Sequence, residues 1–222
     1  MADLIDRLAH FYGPLPLPPE DPFAFYVWEV LGTLTTAGRR DTAMEALRRV
    51  PALTPDSLRK LGRGRLQAVV RQCGPFVDER LAALDAGIDI FRRQPQFVQR
   101  LRGPLRYAWL ASRDLPHLGH AGALRLLLFT GESQVVPVDA GTARIATRLG
   151  IARPWPNVRR LTRDVRRALD QALPRELSNR RRAVLYLKHH AEHTCVESSP
   201  HCPVCPLVDG CAEGRRRTSR NP

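Results

Sequence analysis

Residues 195–211 read CVESSPHCPVCPLVDGC and contain four of the five cysteines of the chain, in the pattern Cys195-x6-Cys202-x2-Cys205-x5-Cys211. Because a reducing cytosol disfavours disulfides, we interpret these thiols as ligands of one metal centre. Zinc usually takes two short cysteine pairs, and only Cys202 and Cys205 form such a pair here. A [4Fe-4S] cluster also takes four thiolates, and its size suits one loop with wider steps. The spacing favours the cluster, with zinc and unligated thiols as the alternatives.

Outside this loop, apolar residues recur at helical spacing almost everywhere, and the alternating runs typical of strands are scarce. We therefore predict an all-α fold. The predicted helices cover residues 4–11, 23–34, 41–47, a segment opening at 54–56, then 66–70, 76–91, 97–101, 105–110, 121–129, 139–149, 158–173 and 176–192. The Pro-rich residues 14–22 are predicted to form a rigid connector, residues 215–220 a mobile basic tail, and Cys73 a small buried hydrophobe.

The composition narrows the function. The chain has 222 residues, of which 43% are hydrophobic, and a formal net charge of +13. This apolar content is enough for real cores, and the positive charge favours an anionic partner, nucleic acid first. The longest apolar run, residues 23–28, is too short to cross a bilayer, and no signal peptide is visible. We expect a cytoplasmic protein, nucleoid-associated if bacterial, that is a monomer and does not bind membranes.

Two further motifs precede the cysteine loop. Residues 115–119 read LPHLG between two predicted helices, and Asp139 opens another predicted helix in the sequence Val138-Asp139-Ala140. In this order, the hairpin, the aspartate and the four-cysteine loop resemble the endonuclease III superfamily of DNA glycosylases, from about residue 23 to residue 211.

The resemblance implies an architecture of two helical lobes with a DNA cleft between them. Residues 23–131 would form a helical barrel-like lobe with the helix-hairpin-helix motif. Residues 1–22 and 132–222 would form the second lobe, which carries the [4Fe-4S] loop at 195–211.

The resemblance also implies roles for individual residues. Asp139 would be the catalytic carboxylate, which stabilises the cation formed as the N-glycosidic bond breaks or orients the nucleophile. A plain helix N-cap is the other interpretation of Asp139, and the two roles are compatible. The hairpin would bind a DNA phosphate through backbone N–H groups and the positive end of a helix. The DNA-binding residues implied there are Leu115, His117, Gly119, His120 and Ala121.

Three positions depart from the family pattern. His117 replaces the first hairpin glycine, and histidine tolerates a positive φ less well than glycine. Ala121 stands where strand-nicking members have a lysine that forms a Schiff base with the sugar. Leu34, in LGTLTT at residues 31–36, aligns with the segment whose glutamine fills the gap left by a flipped base. Leu34 would be an apolar wedge in DNA, although a core leucine is the more frequent interpretation.

The expected function is that of a base-excision-repair DNA glycosylase. It would flip damaged bases out of duplex DNA and hydrolyse them from the sugar, with weak or no Schiff-base AP lyase activity. Its partner would be double-stranded DNA that contains damaged bases or abasic sites. Two alternatives remain: a bifunctional glycosylase/AP lyase of the endonuclease III type that uses another amine, and a lesion-binding protein with decayed catalysis.

Overall fold

A computed structural model describes residues 2–48, 52–96 and 115–219 of the chain. Helices are the regular elements in these ranges and no β-strand occurs there, so the all-α prediction is confirmed. The helices are α1 Ala2–Tyr12, α2 Pro22–Gly32, α3 Ala37–Arg48, α4 Pro55–Leu61, α5 Arg63–Arg71, α6 Val77–Arg93, α7 Gly119–Phe129, α8 Ala140–Arg148, α9 Val158–Ala172, α10 Leu177–His193 and α11 Ala212–Thr218. Short 3-10 turns lie at Cys202–Val204 and Val208–Gly210.

Two local predictions are corrected. The helix predicted to begin near Asp41 begins at Ala37, and the Asp41 carboxylate accepts from Arg40 Nε at 3.0 Å rather than capping a helix. The predicted mobile tail is helical up to Thr218, because Glu213 pairs with two arginines one turn further along α11. The predicted helices at 97–101 and 105–110 lie outside the described residues.

The chain divides into two compact units. We call Pro18–Ser133 the hairpin unit, because it contains residues 115–119. We call Met1–Leu17 together with Gln134–Pro222 the cysteine unit. In the described residues, no helix is long and apolar enough to span a membrane.

Helix α2 is the central element of the hairpin unit. Asp21 caps it by accepting from Ala24 N at 2.8 Å, and eight of its residues are buried against α3, α6 and α7. The buried Tyr26 hydroxyl donates to the carbonyl of Ala83 at 2.7 Å and lies 3.2 Å from the carbonyl of Pro116. A Cβ on Gly87 would lie 2.0 Å from the Tyr26 ring, so only glycine leaves room for it. This packing ties the turn at Pro116 to the core of the unit.

The cysteine unit is built around α10, which packs against α1 and α8. Tyr186 on α10 donates to the carbonyl of Gly13 at 2.8 Å and so holds the end of α1. The buried Arg180 donates to the carbonyl of Gln134 at 2.5 Å and to Asp170 at 2.7 Å. These long-range contacts bring the first seventeen residues of the chain and its C-terminal part into one unit.

Candidate functional site

The turn of the hairpin contains two residues with left-handed backbone conformations. His117 has φ +66° and Gly119 has φ +59°, and both are exposed. Leu115 and Leu118 are buried at 0% and 4% exposure, so their side chains anchor the turn in the core. The sequence comparison suggested that residue 117 needs a positive φ, and the structure has one there. Histidine is among the non-glycine residues that tolerate this conformation. Leu115 as a whole residue has no exposed surface, so the structure does not present this predicted DNA-binding residue to a ligand.

Helix α7 begins directly at the hairpin. Among the described residues no side chain caps its first turn, whereas the first turns of α2, α8 and α9 are capped by Asp21, Asp139 and Asn157. An uncapped first turn presents backbone N–H groups and the positive end of the helix dipole. Ala121 lies half-buried in this turn and carries no amine. The hairpin therefore has the features of an anion-binding turn.

A buried ion pair supports the hairpin from beneath. Arg125 of α7 donates from Nε and Nη2 to the two carboxylate oxygens of Glu29 of α2, each at 2.8 Å. Both side chains are about a tenth exposed, at 11% and 9%. A bidentate pair of this kind fixes the direction of α7 relative to α2. Sequence reasoning missed it, because the two residues are 96 positions apart.

Leu34 is on the surface, so the core interpretation of this residue is wrong. Its side chain is 74% exposed and its φ is +49°, unusual for a leucine. The buried Arg80 of α6 donates to the carbonyls of Thr33 and Pro75 and thereby fixes the segment in front of Leu34. An apolar side chain held outward on a fixed turn is available to a partner.

Asp139 occupies the N-cap of α8. Its Oδ1 accepts from Thr142 N at 2.8 Å, so the N-cap interpretation is observed directly. The residue is half-buried, and the preceding Val136 and Val138 are buried. The carboxylate thus lies at the start of a helix, as the sequence predicted, and follows buried apolar residues.

The four cysteines of the loop line one cavity, together with Arg148 and His190. Three N–H donors point at their sulfurs: Arg148 Nη1 lies 3.3 Å from Cys195 Sγ, Leu207 N 3.4 Å from Cys205 Sγ, and Gly214 N 3.3 Å from Cys211 Sγ. Such donors stabilise thiolates more than thiols. The isolated Cys73 is fully buried in the hairpin unit, as predicted.

Among the described residues, no three cysteine, histidine or carboxylate side chains come close enough together to hold a single metal ion. Burial raises the pKa of the Cys205 thiol to about 11 and also raises the pKa of Cys202. The donor set is thus four partly or fully buried sulfurs that line one space.

Helix α8 also holds the start of the cysteine loop. Arg144 donates to the carbonyls of Cys195 and Ala191, each at 2.9 Å. Arg148 donates to the carbonyls of Val196 and Glu197, each at 2.7 Å. The helix capped by Asp139 therefore contacts the backbone of the cysteine loop through arginines in its C-terminal half. The sequence showed both arginines but gave no sign of these partners.

A hydrogen-bonded chain leads from α1 to the loop. The Tyr12 hydroxyl lies 2.7 Å from His190 Nδ1 and 2.5 Å from Thr194 Oγ1, and His190 Nε2 lies 3.8 Å from Cys205 Sγ. Burial lowers the pKa of His190 to about 4, so the ring is neutral at physiological pH. A neutral ring that accepts from Tyr12 carries its proton on Nε2, facing Cys205.

Comparison with known proteins agrees with this architecture, although no protein-family model matches the chain. Endonuclease III of Bacillus subtilis (strain 168) is 26% identical over 143 residues, which are 60% of this chain and 62% of the relative's length. A non-covalent complex of endonuclease III with DNA gives a TM-score of 0.71 at 21% identity, over 97% of this chain and 95% of the other. A thermostable thymine-DNA glycosylase gives 0.69 at 16% identity, over 96% of each chain.

The matches to solved structures show the fold of the chain. The chain has the all-helical fold that endonuclease III and the thymine-DNA glycosylase share. The resemblance to the endonuclease III superfamily, first indicated by the hairpin, the aspartate and the four cysteines, is thereby confirmed.

Proposed function

We propose that this protein is a DNA glycosylase of the endonuclease III type, which hydrolyses the N-glycosidic bond of a damaged base flipped out of duplex DNA. The observation that carries the proposal is the position of Asp139 at the start of α8, in a chain that matches DNA-bound endonuclease III over 97% of its length. The net charge of +13 supports a polyanionic partner.

Asp139 would be the catalytic carboxylate. The Thr142 N–H holds one carboxylate oxygen at 2.8 Å, which fixes the orientation of the group. A fixed carboxylate stabilises the positive charge that develops on the sugar as the bond to the base breaks, or orients the attacking water. Its N-cap role and its catalytic role use the same geometry.

The hairpin would bind a phosphate of the DNA backbone. Exposed backbone at His117 and Gly119 leads into the uncapped first turn of α7, and its N–H groups favour an anion. His120 and Ala121 in that turn complete the DNA-binding segment. Leu34, exposed on the fixed turn after α2, would insert between bases and fill the space left by the flipped one.

Ala121 sets the reaction type. Without an amine at that position, the Schiff base that leads to strand cleavage does not form there. The chain contains only two lysines. Lys188 is paired with Glu192 at 2.6 Å, and Lys60 is exposed at the end of α4. Hydrolysis by water, with release of the base and no nick, is the proposed outcome.

Cys195, Cys202, Cys205 and Cys211 would hold a [4Fe-4S] cluster. The donor set fits this group, because all four thiols line one space and N–H donors point at three of the sulfurs. When bound, the cluster would cross-link the loop to the rest of the unit, while Arg144 and Arg148 hold the start of the loop on α8.

The test is an assay on duplexes that contain an oxidised pyrimidine, an alkylated purine or an abasic site. We expect release of a base without a nick, no adduct on borohydride trapping, and loss of at least about 100-fold in rate for Asp139→Asn. DNA binding by that variant should stay within a fewfold of the wild type. Asp78→Asn, which changes an exposed carboxylate in the first turn of α6, is the matched control.

Each other outcome contradicts a specific step. Unchanged turnover by Asp139→Asn would remove this residue from the mechanism. A trapped covalent adduct would show that another amine forms a Schiff base. Tight lesion binding without release of any base would support the lesion-binding alternative, which the alanine at position 121 favours over a bifunctional enzyme.

A further inference from the structure

Helix α9 carries a face of arginines that the proposed function does not use. At about 100° per residue, Arg159, Arg160, Arg163 and Arg167 project within an arc of about 100°. All four are exposed, whereas Val165 and Leu169 on the opposite side of the helix are buried. We call these four residues the arginine face. The helix thus packs through its apolar side and presents one dense row of cations outward.

Among the described residues, most charges of this face have no carboxylate partner. In the described part of the chain, no carboxylate lies within ion-pair distance of Arg159, Arg160 or Arg167, and Arg163 has only its neighbour Asp164, at 3.6 Å. The nearby Asp170 is bonded to Arg180 from α10. Four other surface arginines are paired with aspartates: Arg59 with Asp89, Arg63 with Asp85, Arg92 with Asp56 and Arg182 with Asp6. The arginine face is therefore a local excess of positive charge.

One member of the face is already held in place. The guanidinium of Arg160 lies 3.4 Å from the centroid of the half-buried Trp155 ring, and that of Arg153 lies 5.3 Å from it. Stacking on an aromatic ring restrains a guanidinium group while its N–H donors stay free at the edge. A restrained cation loses less conformational entropy when it binds an anion.

The length of the face fits a nucleic acid backbone. From residue 159 to residue 167 the helix rises about 12 Å, at about 1.5 Å per residue. Duplex DNA carries about one negative charge per 1.7 Å of its axis, so about seven phosphates lie along that distance. Guanidinium groups bind phosphates through paired hydrogen bonds. A single small phosphate compound would meet only one or two of these cations.

We propose that the arginine face of α9 binds the phosphate backbone of duplex DNA, as a contact surface additional to the hairpin. The choice of duplex DNA among polyanions rests on the proposed function. The contact would be independent of sequence and of damage, because it involves only phosphates. It would raise the affinity for undamaged DNA and so help the protein to stay on DNA between lesions.

The experiment compares two variants with the same loss of four positive charges. The test variant carries Arg→Gln at 159, 160, 163 and 167, and the control carries Arg→Gln at 59, 63, 92 and 182, where each arginine is paired with an aspartate. Binding to an undamaged duplex of about 30 base pairs is measured by fluorescence anisotropy between about 50 and 200 mM salt. Circular dichroism checks that both variants are folded.

We expect the slope of log Kd against log salt to fall by about 0.9 for each lost phosphate contact, or about 3.6 for all four. Raising the salt from about 50 to about 200 mM would then weaken DNA binding by the wild type about 150-fold more than DNA binding by the test variant. The control should change the slope by less than about 1. Equal changes in both variants would mean that only net charge matters, and an unchanged slope in the test variant would also overturn the proposal.

Two further measurements test the choice of duplex DNA as the partner and distinguish this proposal from the proposed function. If the test variant loses more affinity for single-stranded DNA than for the duplex, the assignment to duplex DNA is overturned. Base release is measured separately on a damaged duplex at saturating protein. If the wild type releases no base while the slope still falls in the test variant, the proposed function fails and the arginine face stands. If base release occurs and the slopes do not differ, the proposed function stands and the proposal for the arginine face fails.

Discussion

The two units of this protein order their functional segments by different means. In the hairpin unit, buried polar side chains do this: Tyr26 contacts the turn, Arg80 fixes the segment before Leu34, and Glu29 pairs with Arg125. In the cysteine unit, the loop is held at its start by Arg144 and Arg148, and its centre is four sulfurs around one space. The comparison teaches that side chains alone order the hairpin, whereas the proposed cluster would complete the ordering of the loop.

The largest effect should follow from removing one sulfur. Cys205→Ser replaces a ligand of the proposed cluster, so we expect loss of most of the bound iron and of the broad visible absorbance of the purified protein. Amide exchange should become faster in the loop and in α11, because one of its sulfurs caps that helix. Exchange in α2 should not change.

Cys73→Ser is the matched control, since Cys73 lies in the hairpin unit far along the sequence from the loop. It should keep its full iron content while losing some stability, because a hydroxyl replaces a buried thiol. A colourless wild type without iron would contradict the cluster. Faster exchange in α2 of Cys205→Ser would contradict the independence of the hairpin unit.

The next effect concerns the ion pair under the hairpin. Glu29→Ala removes the bidentate hydrogen bonds to the buried Arg125 guanidinium, and this should lower the free energy of unfolding by about 2–3 kcal/mol. Urea denaturation measures the change. Asp89→Ala, which breaks the exposed pair with Arg59, should cost less than about 1 kcal/mol. Similar costs for the two variants would show that the buried pair does not stabilise the hairpin unit.

The smallest effect should come from the hairpin backbone. Because His117 has φ +66°, a β-branched residue there is strained, and His117→Val should cost about 1–2 kcal/mol. His117→Gly should change stability by less than about 1 kcal/mol, since relief of strain offsets the greater freedom of the unfolded chain. Thermal unfolding of both variants gives the difference. A valine variant as stable as the glycine variant would mean that the turn adjusts freely.

Local patterns predicted much of this structure. The spacing of four cysteines, the turn LPHLG and the aspartate before α8 are each readable within about twenty residues, and all three pointed to one fold. The helical periodicity was sufficient for the all-α class. The arginine face could also have been found from the sequence, by applying that same periodicity to charged residues rather than to apolar ones.

What the sequence did not predict depends on distant partners. Leu34 was expected in the core because leucine usually is, yet a turn fixed by Arg80 from another helix turns it outward. The pair of Glu29 and Arg125 joins residues that no local pattern connects. The end of the chain was expected to be mobile because it is rich in arginine, but Glu213 supplies the partners that a helix there needs.

The short helix α8 has a consequence for chemical damage. Its nine residues span about 13 Å, with Asp139 at one end and Arg148 on the loop backbone at the other. Oxidation of the thiols would displace the carbonyls that Arg144 and Arg148 bind, and so release the far end of this rigid element. Damage at the sulfurs would then change the position of the Asp139 carboxylate, and we expect the proposed activity to fall before the chain unfolds.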